Sequence, residues 1–220
     1  MFETRPQQLV VVVGTGTEVG KTWVAAAALT QLRAAGRTVA ARKPAQSFEV
    51  GDTNTDAHVL GQATGEAPTD VCPAHRWYER ALAPPMAAEV LGRPPFTLTD
   101  LHDEIAWPDG VDVGLVETAG GVRSPLAGDD GDGVALTASL MPDVVVLVAD
   151  AGLGTLNAVR LTVSALDPVL ETREDTDLVV VLNRFDPDED LHRRNRAWLA
   201  DHDGLDAVTA IPDLVARLLG

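Results

Sequence analysis

Nine consecutive residues, Gly14-Thr15-Gly16-Thr17-Glu18-Val19-Gly20-Lys21-Thr22, carry the strongest chemical signal in the chain. Glycines let a backbone approach a ligand closely, and successive N–H groups at a helix N-terminus bind phosphate through their aligned dipoles. In such a loop Lys21 reaches the β- and γ-phosphates of a nucleotide, and the Thr22 hydroxyl falls where Mg2+ binds. Five residues separate Gly14 from Gly20, one more than the strict phosphate-loop spacing. The competing reading is an ordinary glycine-rich turn between a strand and a helix; the Gly20-Lys21-Thr22 ending favours phosphate. Composition adds weight. Of 17 basic residues only Lys21 and Lys43 are lysines. A position that stays lysine against such a bias is one where a compact, mobile ammonium suits and a planar guanidinium does not.

Lys43 opens the segment Lys43-Pro44-Ala45-Gln46-Ser47 after an apolar run. Pro44 biases Lys43 toward extended backbone, and in a parallel sheet neighbouring strand ends open onto one crevice where ligands bind. The second lysine is therefore expected beside the phosphates held by the first, the alternative being a surface lysine before a turn. Glu117 closes the run Val113–Val116 and precedes Thr118-Ala119-Gly120-Gly121. A carboxylate at the tip of a central strand suits Mg2+ coordination, directly or through water. Asp56 reads two ways, as a second such ligand or as the N-cap of the helix that follows. Asn183, at the end of another apolar run, has either a base edge or a turn as its partner. The histidines at 58, 75, 102, 192 and 202 show no ligand spacing. Cys72 has no basic cluster or partner cysteine beside it, and Arg193-Arg194-Asn195-Arg196 reads as a solvated helix face.

These groups need strands and helices to hold them. Leu9–Val13 predicts a strand buried on both faces, stopping at Gly14. Lys21–Ala35 is a helix rich in Ala and Leu that closes at Gly36, and Thr38–Arg42 follows as a strand. From this βαβ unit we expect a parallel pair. Further strands are expected at Val111–Glu117, Asp143–Ala149, Asp177–Leu182 and Ala207–Ile211. Helices are expected at Asp56–Gly65, Met86–Leu91, Leu98–Ala106, Gly133–Leu140, Thr155–Leu170 and Glu189–Ala200. Such alternation specifies an α/β fold, one largely parallel sheet with helices on both faces. No repeat of about 20–50 residues and no low-complexity linker interrupts it, so residues 1–220 read as a single domain.

With 45% hydrophobic and 23% charged residues the composition is globular, and intrinsic disorder is excluded. A chain of 220 residues buries roughly 70% of its unfolded surface without help from a disulfide or metal. The formal charge of −16 disfavours nucleic-acid phosphates and anionic membrane lipid as partners. No apolar run approaches the ~20 residues of a membrane span, and Met1–Gln8 lacks a signal-peptide pattern. A single cysteine precludes an internal disulfide, so a cytoplasmic location is expected.

In these motifs the chain resembles the dethiobiotin synthetase family, ATP-dependent ring-closing enzymes of biotin synthesis within the P-loop NTPase superfamily. Gly14–Thr22 is similar to the family's lengthened phosphate loop, Lys43–Ser47 to its lysine-proline segment, and Ala83-Pro84-Pro85-Met86 to its proline-containing turn near the substrate. Gly152–Asn157 resembles the loop that caps the neighbouring subunit's substrate pocket in the family dimer, and Ile211-Pro212 the later nucleotide-side segment. The resemblance implies a homodimer that uses ATP and Mg2+ to carboxylate and close the diamine 7,8-diaminononanoate with CO2. It implies ATP contacts from Glu18, Val19, Gly20, Lys21, Thr22, Trp23, Asp56, Glu117, Asn183 and Pro212. Substrate contacts are implied for Thr17, Ser47, Pro84, Gly154, Thr155 and Asn157, Mg2+ association for Thr22, Asp56 and Glu117, and catalytic roles for Lys21 and Lys43.

Three places depart from the family pattern. Phe48 and Thr118 stand where glycine is usual, and Arg184-Phe185 follows Asn183 where an acidic residue is frequent. A partitioning-type nucleotide-switch ATPase would share the fold, but such switches usually carry an extra lysine early in the loop, where this chain has Gly14-Thr15-Gly16. An ATP-binding regulatory relative without turnover is the other rival.

Overall fold

Valine-rich runs build the centre of the molecule. In the computed structural model, which describes residues 5–172 and 175–220, the chain opens with β1 (Gln8–Gly14), α1 (Lys21–Ala34), β2 (Val39–Arg42) and the short β3 (Gln46–Ser47). Helices α2 (Asp56–Thr64) and α3 (Pro68–Val71), a 3₁₀ turn at Ala74–Arg76 and β4 (Trp77–Tyr78) follow. Then come α4 (Pro84–Val90), α5 (Leu98–Asp103), β5 (Val113–Glu117) and α6 (Gly133–Leu140). The chain finishes with β6 (Val144–Asp150), α7 (Thr155–Thr172), β7 (Asp177–Asn183), α8 (Asp190–Asp203) and α9 (Ile211–Leu219).

The main sheet has the order β2-β5-β1-β6-β7, and every neighbouring pair is parallel. Alternate side chains of its strands feed two separate cores. Leu9, Val11 and Val13 join Val145 and Leu147 on one face, against apolar residues of α6, α7 and α8. Val10 and Val12 join Val144 and Val146 on the other, against α1, α2 and α9. A strand covered on both faces needs no polar alternation, which is why β1 and β6 read as unbroken apolar runs. Among the described residues no helix is long and apolar enough to cross a membrane.

Three expectations change. β1 and β2 run parallel but do not pair, because β5 lies between them and hydrogen-bonds to both. A crossover helix fixes the relative direction of two strands and not their adjacency. The fully buried β5 takes the inner position, leaving the four-residue β2 at the edge. The run Ala207–Ile211 is not a strand; among the described residues Val208 makes a single bridge to Val181, and Ile211 opens α9. Pro212 explains the switch. It has no N–H to give to a ladder, and that missing donor is harmless in the first turn of a helix. The β3–β4 pair, which aligns Gln46 with Trp77 and Ser47 with Tyr78, is too short to leave a hydrophobic period. Helix α4 starts at Pro84 rather than Met86, again with proline in the first turn.

Candidate active site

Because the strands of the main sheet all point one way, β1, β2, β5, β6 and β7 deliver Gly14, Arg42, Glu117, Asp150 and Asn183 to one edge. Ligands bind along that edge in open parallel sheets. The glycine-rich loop leaves β1 fixed on both sides. Thr15 N donates to Val148 O at 3.0 Å, and Val122 N donates to Gly14 O at 3.0 Å. Gly20 caps α1 with φ +92°, and a Cβ there would lie 2.1 Å from Asn183 Nδ2, so only glycine fits. Lys21 runs back over Gly14, where a Cβ would meet its Cδ at 2.9 Å. Its Nζ donates to Gly16 O at 3.0 Å.

Behind the loop lies a tight ionic cluster. Lys43 is 2% exposed and Glu117 fully buried. Lys43 Nζ lies 2.6 Å from Glu117 Oε1 and 2.8 Å from Asp56 Oδ2, and it donates to Thr118 O at 3.3 Å. Thr22 Oγ1 lies 2.8 Å from both Asp56 Oδ1 and Glu117 Oε1. Asp56 is the first residue of α2, and Thr55 holds the N-cap position. The Asp56 carboxylate thus reaches α1 and Lys43 instead of capping its own helix. Lys43 arrives here although β2 and β1 are not neighbours, since its Nζ spans the end of the intervening β5.

The charges are strongly coupled. Burial lowers the Lys21 ammonium to about 8, with the positive charge of Lys43 adding to the effect. Burial also opposes the charge of Lys43, but Asp56 and Glu117 outweigh it and hold its pKa above the ordinary value. For Asp56, burial is likewise outweighed, by the Lys43 charge and the Lys43 and Thr22 hydrogen bonds, and its carboxyl is held low. Glu117 goes the other way: loss of hydration pushes its carboxyl up despite the attraction of Lys43.

The oxygen set suits Mg2+. One hydroxyl hydrogen on Thr22 faces two carboxylate oxygens, and Glu117 Oε2 is buried without a hydrogen-bond partner. A small hard cation that binds through one or two carboxylates and retains water and phosphate ligands matches that donor set. Among the described residues no group of three or more His, Cys, Asp or Glu could hold a metal by itself. Cys72 is buried, and loss of hydration pushes its thiol up to about 12, so it is no nucleophile at neutral pH.

Beside the loop opens a cleft of about 500 Å³ lined by Trp23, Asn183, Arg184, Phe185, Thr209 and Ile211 among others. Trp23 is 60% exposed there, a large apolar face left open beside a phosphate loop. Asn183 Nδ2 donates to Val19 O at 2.9 Å, so its amide is anchored on the loop. Pro212 is exposed at the start of α9, one residue beyond the cleft lining.

The remaining sequence candidates fall into two groups on opposite sides of β1. Ser47 lies on β3 with its Oγ buried and unpartnered, and the helix begun by Pro84 packs against β3 and β4. Thr17 is exposed on the glycine-rich loop. Across the sheet, after β6, Gly154 and Asn157 are exposed while Thr155 is buried with its Oγ1 unpartnered. The bulk of Phe48 rests edge-on against Trp77, with centroids 6.2 Å apart, and Thr118 Oγ1 donates to Val12 O at 3.3 Å.

Two residues of the region escaped the sequence reading. Asn195 is not part of a solvated face: it is buried, and its Nδ2 donates to Ala151 O at 2.9 Å and Gly152 O at 3.0 Å, tying down the loop after β6. An asparagine among three arginines was the available signal. Gln46 Oε1 accepts from Ala57 N at 3.0 Å and so fixes the start of α2, which carries Asp56. It has no sequence signature.

A family model described as an AAA domain matches residues 8–216. An ATP-dependent dethiobiotin synthetase BioD of Streptomyces avermitilis is 38% identical over 207 residues, spanning 93% of this chain and 83% of its own length. That of Anaeromyxobacter dehalogenans is 36% identical over 217 residues, spanning 95% and 94%. Among solved structures, a cobyrinic acid a,c-diamide synthase of Mycobacterium smegmatis superposes with TM-score 0.58 at 16% identity over 96% of this chain and 94% of that one. A plasmid partition protein of Borrelia burgdorferi superposes with TM-score 0.56 at 10% identity over 98% and 99%. These two likenesses speak for the fold alone, which synthases and partition proteins share. The sequence matches decide between them: this chain belongs to the dethiobiotin synthetase family of the P-loop NTPase superfamily.

Proposed function

We propose that this chain is an ATP-dependent dethiobiotin synthetase, a ligase that joins CO2 to 7,8-diaminononanoate and closes a cyclic urea. The observation that carries this reading is the meeting of Lys43, Asp56, Glu117 and Thr22 at 2.6–2.8 Å behind a phosphate loop, in a chain whose relatives along most of its length are such synthetases. In the reaction CO2 adds to one amine as a carbamate, and a carbamate oxygen takes the terminal phosphoryl group of ATP. The second amine then attacks the carbonyl carbon and expels phosphate, leaving ADP and the ring.

Phosphoryl transfer asks chiefly for positioning and charge neutralisation. The N–H groups of Val19 and Gly20 and the Lys21 ammonium hold the phosphates in this reading. Lys43, itself held by Glu117 and Asp56, sets positive charge where the carbamate and the transferring group meet. Thr22, Asp56 and Glu117 would hold Mg2+, which when bound neutralises charge on phosphate oxygens. Glu18, Asn183, Trp23 and Pro212 serve the nucleotide; Thr17, Ser47 and Pro84 serve the diamine. Gly154, Thr155 and Asn157 lie across β1 from Ser47, and a second copy of the chain would supply them to its neighbour's pocket. We therefore read residues 1–220 as one catalytic domain of a cytoplasmic homodimer.

ADP release tests the proposal. A synthetase releases ADP only with diamine and bicarbonate both present, and the product gains one carbonyl carbon. ADP release in ATP alone would favour a nucleotide switch, and none under any condition an ATP-binding module. The relatives at 36–40% identity give no support to either of those.

A further inference from the structure

The end of β7 carries two side chains that grip the glycine-rich loop. Asn183 Nδ2 donates to Val19 O at 2.9 Å, and Arg184 Nη2 donates to Glu18 O at 2.8 Å. The same guanidinium reaches β6 through Nη1, 2.9 Å from Asp150 Oδ2, while Asp150 Oδ1 accepts from Gly152 N at 2.8 Å. The backbone at both ends of the grip is unusual. Glu18 and Arg184 have φ of +61° and +57° without being glycine, a conformation that costs an L-residue energy and persists where its surroundings impose it.

Peptide geometry turns this grip into a directional device. In a trans peptide the C=O and the following N–H point to opposite sides of the chain. Drawing the Glu18 carbonyl toward β7 therefore aims the Val19 N–H the opposite way, and drawing the Val19 carbonyl does the same for the Gly20 N–H. We infer that Arg184 is a positioning residue for phosphate binding: with Asn183 it holds two successive carbonyls of the loop outward, so that the N–H donors of Val19 and Gly20 are preset for an anion. The inference rests on Gly14–Thr22 being the nucleotide phosphate site. The Arg184–Asp150 pair is 59% and 46% exposed and contributes little as an ion pair. Its use is to orient the guanidinium. A loop arranged beforehand pays less ordering cost when the ligand arrives.

The test compares wild type with Arg184→Gly, Arg184→Ala and Arg184→Lys by calorimetric titration of MgATP and of inorganic triphosphate, a probe without a base. Glycine adopts φ +57° more readily than arginine, so Arg184→Gly keeps the fold, which its denaturation midpoint verifies. Both ligands should lose affinity by the same factor, about tenfold, in Arg184→Gly and Arg184→Ala. Lysine should restore part of it by reaching the Glu18 carbonyl. At saturating ATP, kcat should stay near wild type while KM for ATP rises, because the loaded loop has the same geometry. Unchanged affinity in Arg184→Gly overturns the inference, as does a loss confined to ATP, which would place Arg184 on the base instead. A wild type that binds neither ligand would overturn the phosphate-site reading itself and the inference with it.

Discussion

Replacing Lys43 by glutamine keeps a side chain of similar length but removes the ammonium that lies 2.6 Å from Glu117 and 2.8 Å from Asp56. The two carboxylates respond differently. The Asp56 side chain is 39% exposed and stays hydrated, whereas Glu117 is wholly buried. Removing one partner of a buried ion pair costs about 3–5 kcal/mol, but Glu117 has an escape, because burial already pushes its carboxyl above 4.5. Without Lys43 it can fold protonated. Keeping a proton on a carboxyl that would otherwise lose it costs about 1.4 kcal/mol per pH unit above its ordinary value. The penalty from Glu117 is thereby capped at about 3.5 kcal/mol at pH 7 and about 1.4 kcal/mol at pH 5.5. Glu117 is raised in the wild type too, but there Lys43 draws it back down. Without that attraction the variant keeps the proton to higher pH, so its stability falls further than that of the wild type as pH rises. Urea denaturation at pH 5.5, 6.5 and 7.5 should show the gap from wild type widening with pH. Under conditions where the variant remains folded, diamine-dependent ADP release should drop roughly 100-fold, with ATP binding much less affected. Lys43→Arg should also fail, because a planar fork cannot occupy the point between the two carboxylates. A pH-independent stability gap with near-normal turnover in Lys43→Gln would refute the reasoning.

Lys21, lowered to about 8 mainly by burial, should regain its proton when phosphate binds; calorimetry in buffers of different ionisation heat should find uptake of about half a proton at pH 8 and almost none at pH 6.5. Absence of uptake would separate Lys21 from the phosphates. Its depressed value also means that the unfolded chain binds more protons between pH 8 and 10.5, so the Lys21 contribution to stability rises with pH across that window. Gly20→Ala, with φ +92° and a Cβ 2.1 Å from Asn183 Nδ2, should cost about 1–3 kcal/mol and abolish ATP binding; an unchanged melting temperature would contradict the close approach. Thr22→Val removes the hydroxyl between Asp56 and Glu117 while preserving shape, and the Mg2+ concentration for half-maximal turnover should rise about tenfold. Equal Mg2+ demand would take Thr22 out of the cation site. Sedimentation under assay conditions should find a dimer, and a fully active monomer would end the proposal that Gly154, Thr155 and Asn157 serve a neighbouring pocket.

Much of this protein was legible in short stretches of chain. Valine-rich apolar runs in β1 and β6 betray strands covered on both faces, and Gly20-Lys21-Thr22 marks the junction where the loop after β1 enters α1. These readings succeed because backbone sterics, side-chain period and capping act over a few residues. Short-range rules mislead where a run fits two structures: Ala207–Ile211 has strand composition, yet Pro212 turns its end into α9. What lies between distant segments was settled by tertiary packing. Nothing local places β5 between β1 and β2, yet that insertion brings Glu117 to Lys43 across 74 residues and to Thr22 across 95. The same holds for Asp56, whose sequence suits a cap and a ligand equally until α2 docks against α1 and turns its carboxylate toward Thr22. Arg184 read only as a departure from the family pattern and Asn195 as part of a solvated helix face, because their partners, the carbonyls of Glu18, Ala151 and Gly152, are backbone groups and carry no residue signature. Residue types pointed to a chemistry; the distances that gather them into one cluster, and the charge shifts that follow from burial, arose only when the helices packed against the sheet.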